Sequence, residues 1–173
     1  MKKIQAIFLD RDDTIGGEDE VIFPKDFFLY PNAKIAIDLL LQMKVPIFSF
    51  TNQPDISRGL VDIKDFQDEL IGFGFKDSFI CPHTPEENCD CRKPKIGMLK
   101  NAETKYNLDL SKTIVIGNRH TDMIAAAEVG TLKILVKTGC GSLSIKNKEW
   151  NTEICDYIAE DLLDAARWIK NYI

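Results

Sequence analysis

The sequence predicts an α/β fold, a parallel β-sheet with helices on both faces. Short apolar runs alternate with amphipathic stretches along the whole chain, and most connections between them are brief. The first run, Ile4–Leu9, is interrupted only by Gln5, as expected of a strand covered on both faces. The longest stretches without regular structure are Asp12–Pro31, Cys81–Lys95 and Thr138–Cys155, and long loops in a compact domain are usually functional.

The elements follow in order. Pro31 and Asn32 open a helix over Ala33–Met43, with Ile35, Leu39 and Met43 on one stripe. Val45–Phe50 reads as the second strand, and Val61–Ile71 as a helix ended by Gly72 and Gly74. Ser78–Cys81 is a short third strand, followed by a helix over Gly97–Tyr106. Thr113–Ile116 is the fourth strand, and Thr121–Val129 a helix closed by Gly130. Leu132–Val136 is the fifth strand and Tyr157–Ile158 the candidate sixth. A last helix spans Asp161–Ile169, with Leu162, Ala166 and Ile169 aligned.

At 173 residues the chain is expected to be one domain, 1–173. It is 45% apolar and 28% charged, the composition of an ordinary globular protein. The net charge of −5 argues against nucleic acid and against an anionic membrane surface as partners. No apolar run approaches the roughly 20 residues of a membrane span. The N-terminal apolar stretch falls short of the about 7–15 residues a signal peptide needs, so a cytoplasmic protein is expected. Oligomeric state has no sequence signature here; a monomer or weak oligomer is the default.

Ligands of open parallel sheets bind past the carboxyl ends of the strands, so the residues there carry the functional reading. Strand one delivers Asp10-Arg11-Asp12-Asp13-Thr14. Two carboxylates at i and i+2 can hold a divalent cation, or divide nucleophilic attack and proton transfer between them; an acidic turn is the plainer alternative. Strand two ends in Thr51-Asn52-Gln53, whose hydroxyl and amides suit phosphate oxygens, or make an ordinary polar turn. After strand three, the loop 81–93 presents Cys81, His83, Cys89 and Cys91. Three thiolates and an imidazole are the ligand set of a closed, structural zinc site. Without an export signal, that spacing reads as metal rather than disulfide. Strand four ends in Gly117-Asn118-Arg119-His120-Thr121-Asp122. Asp122 is a helix-start charge on the simple reading, or an oxygen ligand facing Asp10 and Asp12 on the functional one.

These segments, in this order, resemble the haloacid dehalogenase (HAD) superfamily of phosphatases. Asp10-x-Asp12-x-Thr14 matches the acidic signature, Thr51 the hydroxyl after strand two, Lys93 the motif lysine, and Gly117–Asp122 the segment Gly-Asp-x-x-x-Asp. More narrowly, the chain is similar to the capless, zinc-containing histidinol-phosphate and D-glycero-D-manno-heptose 1,7-bisphosphate phosphatases. That match rests on Thr51-Asn52-Gln53, Ser57-Arg58-Gly59, the cysteine loop into Arg92-Lys93-Pro94, Gly97-Met98-Leu99 and Lys137-Thr138-Gly139.

The resemblance implies a Rossmann-like sheet of strand order 3-2-1-4-5 with no large cap domain. It implies that Asp10 attacks phosphorus to form an aspartyl-phosphate, and that Asp12 protonates the leaving alcohol and then activates water. Mg2+ is implied between Asp10, the Asp12 carbonyl and Asn118, with Asp122 in its first or second shell. Thr51 and Lys93 would hold the phosphoryl group, with Asn52 and Gln53 beside them. Arg58, Arg92 and Arg119 would meet a second phosphate, or are surface arginines. The expected activity is hydrolysis of a small phosphorylated metabolite, a sugar bisphosphate or histidinol phosphate. Two positions depart from the family: Asp13 stands where it has Gly, and Asn118 where it has Asp. The second removes a unit charge beside the ion. It keeps open a weakened, phosphate-binding or regulatory protein on the same fold.

Overall fold

The computed structural model describes residues 3–18, 22–146 and 154–172. Its strands are β1 (Ala6–Leu9), β2 (Ile47–Asn52), β3 (Asp77–Cys81), β4 (Thr113–Gly117), β5 (Leu132–Val136) and β6 (Tyr157–Ala159). Its helices are α1 (Pro31–Gln42), α2 (Ile63–Gly72), α3 (Gly97–Tyr106), α4 (His120–Glu128), α5 (Gly141–Lys146) and α6 (Leu162–Tyr172). Every strand pair is parallel, and the order is β3-β2-β1-β4-β5-β6. The expected five-strand order therefore stands, with β6 added at the β5 edge. Among the described residues, no helix is long and apolar enough to cross a membrane.

Strand alternation divides the core in two. Ile7 and Leu9 face one side with Ile114, Ile116, Ile134 and Val136, where α1 and α6 cover them. Ala6 and Phe8 face the other with Phe48, Phe50, Val115 and Leu135, under Met98, Leu99 and Ala102 of α3 and Met123 and Ala126 of α4. Phe8, Phe48, Phe50 and Phe79 meet there in tilted and edge-on pairs, 5.5 to 6.5 Å between ring centres. This geometry suits the aromatic quadrupole.

Three expectations are corrected. The buried stripe of α1 is Ala33, Ala36, Ile37 and Leu40, while Ile35 is 56% exposed and Leu39 and Met43 only flank the core. Both stripes have helical spacing. The alanines let α1 approach α6, which offers Ala165 and Ala166 in return, so the smaller residues turn inward. Second, β2 runs two residues beyond Phe50, because Thr51 and Asn52 still pair with Ile80 and Cys81 of β3. Third, the stretch 138–155 contains α5; residues 147–153 of it lie outside the described part. The loop after β1 is pinned by bridges from Gly16 to Asp12 and to Leu29.

Candidate active site

β1 lies between β2 and β4, so the ends of strands one, two and four open side by side. Leu9 pairs with Ile116, and the Asp10 amide donates to the Ile116 carbonyl at 2.9 Å, carrying the pairing past the strand. A cavity of about 560 Å³ opens above them. It is lined by Asp10, Asp12, Thr51, Asn52, Gln53, Arg58, Arg92, Lys93 and Arg119, all singled out from sequence. Asp13, Glu18, Cys140, Leu143 and Ser144 also line it. The last three come from the Thr138 turn and α5, within a stretch whose sequence pattern predicts no regular structure. Asn118 and Asp122 do not line the cavity; both are fully buried.

Lys93 lines the cavity and is itself buried. Its ammonium lies 2.9 Å from Asp10 Oδ1 and 2.6 Å from Asp122 Oδ1, and donates to the Phe50 carbonyl at 2.6 Å. Burial opposes the charged lysine, but Asp10 and Asp122 outweigh it and hold its pKa above the ordinary value. Asn52 fixes the lysine backbone from β2, its Oδ1 accepting from the Lys93 amide at 3.1 Å. Burial pushes the Asp122 carboxyl up to about 6 against the pull of Lys93. Asp122 Oδ2 accepts from the Arg119 amide at 2.9 Å. Gly117 is required beneath it, because a Cβ there would fall 2.2 Å from that same oxygen.

Asp12 stands closer to the opening, its side chain 41% exposed. Gln53 Nε2 donates to Asp12 Oδ2 at 2.6 Å and also to Thr51 Oγ1 at 3.0 Å. Arg11 donates to Asp12 Oδ1 from below. Loss of hydration at the cavity wall pushes the Asp12 carboxyl up, Arg11 pulls it down, and the Asp10 charge adds to the rise. Arg11 was only a spacer in the acidic signature. Here its side chain is fully buried and paired with Glu69 of α2. That residue lies 58 positions away, and no local pattern announces it.

Asp13 adopts the left-handed conformation at φ 59°, which explains why this position favours glycine and why Asp tolerates it. Its carbonyl accepts from Thr138 Oγ1 at 2.5 Å. Its side chain packs on Gly139, where a Cβ would sit 2.2 Å from Asp13 Cβ. Asn118 is oriented from two sides. Thr14 Oγ1 donates to its Oδ1 at 3.4 Å, while its Nδ2 donates to the Thr138 carbonyl at 3.5 Å and faces Cys140 Sγ at 3.3 Å.

The oxygen set fits a hard divalent cation. Asp10, Asp12 and Asp13 line the cavity, and Asp122 lies buried beside it, joined to Asp10 through Lys93, while Arg11 is committed largely to Glu69. Burial is the main cause of the raised Asp122 carboxyl, and the neighbouring Asp10 charge adds to the rise.

Cys81, His83, Cys89 and Cys91 bring their ligand atoms within 4.8 Å of one another. The sulfur–sulfur separations are 3.2, 3.5 and 3.6 Å, and His83 Nδ1 lies 3.2 and 3.7 Å from two of the sulfurs. A tetrahedron with zinc–sulfur bonds of 2.3 Å has edges of about 3.8 Å, so the four atoms already approximate its corners. The cluster also holds the next residue in place, as Arg92 donates to the His83 carbonyl at 3.1 Å.

Comparison with known proteins agrees with this geometry. A family model described as HAD-hydrolase-like matches residues 90–165. The D-glycero-beta-D-manno-heptose-1,7-bisphosphate 7-phosphatase of Bordetella bronchiseptica is 30% identical over 94% of this chain and 100% of its own length. The enzyme of the same name from Photorhabdus laumondii is 33% identical over 96% of both chains. The crystal structure of the B. bronchiseptica D,D-heptose 1,7-bisphosphate phosphatase, complexed with magnesium and phosphate, superimposes with a TM-score of 0.85 at 28% identity, covering 98% of this chain and 100% of that one. With a buried lysine between two carboxylates, a ready tetrahedron of zinc ligands and relatives matched from end to end, the chain belongs to the HAD-like phosphatases, hydrolases of phosphoric monoesters.

Proposed function

We propose that the protein removes one phosphate from a small sugar bisphosphate, a heptose 1,7-bisphosphate being the favoured substrate. The end-to-end match to phosphatases of that substrate carries the reading. The cavity supports it, since Arg58, Arg92 and Arg119 line it together with Lys93. A second phosphate needs cations of its own, and a free histidinol moiety does not.

In this reading Asp10 is the nucleophile. Its carboxylate attacks phosphorus in line, and the leaving alkoxide takes a proton from Asp12. Asp12, then a carboxylate, removes a proton from the water that splits the aspartyl-phosphate. Lys93 and Thr51 neutralise and orient the phosphoryl oxygens, which is where most catalysis of phosphoryl transfer resides. Asp10, the Asp12 carbonyl, Asn118 and Asp122 would hold Mg2+. That ion would supply charge neutralisation between carboxylate and phosphate. Cys81, His83, Cys89 and Cys91 would hold a structural zinc. The whole chain acts as one catalytic domain.

The test is a substrate panel with and without Mg2+, containing heptose 1,7-bisphosphate, histidinol phosphate and p-nitrophenyl phosphate. Magnesium-dependent release of one phosphate from the bisphosphate, at the highest kcat/KM, is expected. A preference for histidinol phosphate would move the assignment to the other branch. Stoichiometric phosphate binding without turnover would favour the second reading, a phosphate-binding protein, which the amide of Asn118 motivates.

A further inference from the structure

The guanidinium of Arg11 is buried under the acid–base carboxylate in an arrangement the phosphatase reading leaves unused. Its side chain has no exposure, and that of Glu69 only 6%. Arg11 Nε and Nη2 form a fork on the Glu69 carboxylate at 3.0 and 2.8 Å. Nη1 turns the other way, donating to Asp12 Oδ1 and to the Ile22 carbonyl at 3.1 Å. The planar group lies against Phe27, 3.6 Å from its ring centre, and faces Phe66 at 4.9 Å. Two aromatic faces and a bidentate carboxylate leave the guanidinium one orientation.

A buried ion pair contributes little net stability compared with apolar packing, so its rigidity is the property to explain. We infer that Glu69 and Arg11 are a positioning pair that holds the Asp12 carboxyl in its proton-transfer orientation. One Asp12 oxygen is held by Arg11 and the other by Gln53, which reaches it from the end of β2. The carboxyl is thereby fixed in both plane and rotation, although it stands on a turn beside an open cavity. The fixation matters twice, when Asp12 gives its proton to the leaving oxygen as the phosphorus–oxygen bond breaks, and when it takes a proton from the attacking water.

This rests on the reading of Asp12 as the acid–base group, and the experiment separates the two. A sugar phosphate leaves as a poor alkoxide and needs the proton; p-nitrophenolate leaves without it. Dephosphorylation of Asp10 needs the base with either substrate. Glu69→Gln keeps the shape of the side chain and removes the charge that aligns the fork. It should lower kcat for the sugar bisphosphate about 10- to 100-fold, with KM within about twofold. With p-nitrophenyl phosphate it should give a fast burst of one equivalent of p-nitrophenolate per site, followed by slow turnover. Arg11→Lys, which keeps the charge but loses the fork, should give the same split, and Glu69→Asp should restore part of the rate. Equal slowing of burst and steady state, or a rise in KM alone, would overturn the inference; should Glu69→Gln not fold, Glu69→Asp and Arg11→Lys carry the same comparison. Asp12→Asn is the control. If it shows the burst and the Glu69 variants do not, positioning fails while the acid–base reading survives. If Asp12→Asn turns over like wild type, that reading itself fails.

Discussion

Lys93 is neutralised by Asp10 and Asp122 together, so a change at either carboxylate is felt at the other. Asp10→Asn keeps an oxygen for the ammonium and leaves the surrounding contacts in place. It should preserve the fold by circular dichroism while turnover falls by about 10³-fold or more, because an amide cannot form the phosphoenzyme. Asn118 makes a subtler case. The structure shows an amide accommodated on both ends, with Nδ2 pointing to the Thr138 carbonyl. A carboxylate there would set oxygen against oxygen in a fully buried position. Asn118→Asp should therefore lower the stability of metal-free protein by about 1–3 kcal/mol, the cost of an unpaired buried group. It should also enlarge the rise in Tm on adding Mg2+, since the ion gains a charged ligand. Thermal unfolding with and without Mg2+ measures both; a Tm that ignores magnesium equally in both proteins would exclude position 118 from the ion.

At the level of elements, the cysteine loop joins β3 to Lys93. Cys91 is two residues before Lys93, and Asn52 holds the lysine backbone from the neighbouring strand. One zinc per chain is expected by elemental analysis of protein purified without added metal. Removing it with a chelator should raise KM for the bisphosphate and lower Tm, because Arg92 loses the anchored His83 carbonyl. How far such elements were legible depended on the range of the forces that form them. β5 and α3 were read with their observed bounds, because Gly130 and the αL residue Asn107 punctuate them locally. The cysteine loop was equally clear, since ligand chemistry and spacing are local. The inward face of α1 was not, because the choice between two helical stripes is made by α6, far away in sequence. Arg11 and Glu69 escaped for the same reason, and α5 buries Gly141 and Ser144, which form no apolar stripe to announce it.

On the scale of the molecule, the two core layers contribute stability by different means. The layer around Phe8 is aromatic and fully buried. Phe8→Ala opens a cavity against the inner strand β1, two residues before Asp10. A loss of about 3–5 kcal/mol is expected. For a domain of this size that lowers Tm by about 6–20 °C. Ile35→Ala on the exposed side of α1 should change stability by no more than about 0.5 kcal/mol, and denaturant titration of the pair would check the assignment of faces.

The central place of β1 also governs when the site can exist. Thr14 and Asn118, which meet across the site, are 104 positions apart, and β1 pairs with β4 over its whole length. A chain emerging from the ribosome presents Asp10 early, at the end of a strand with one edge still unpaired. Only after β4 is made do the oxygen ligands and the lysine cage close together. Loop closure on that scale is slow relative to local helix formation. The nascent chain therefore carries an acidic signature without a competent site, and the same interval leaves an apolar strand edge open to chaperones or to misassembly.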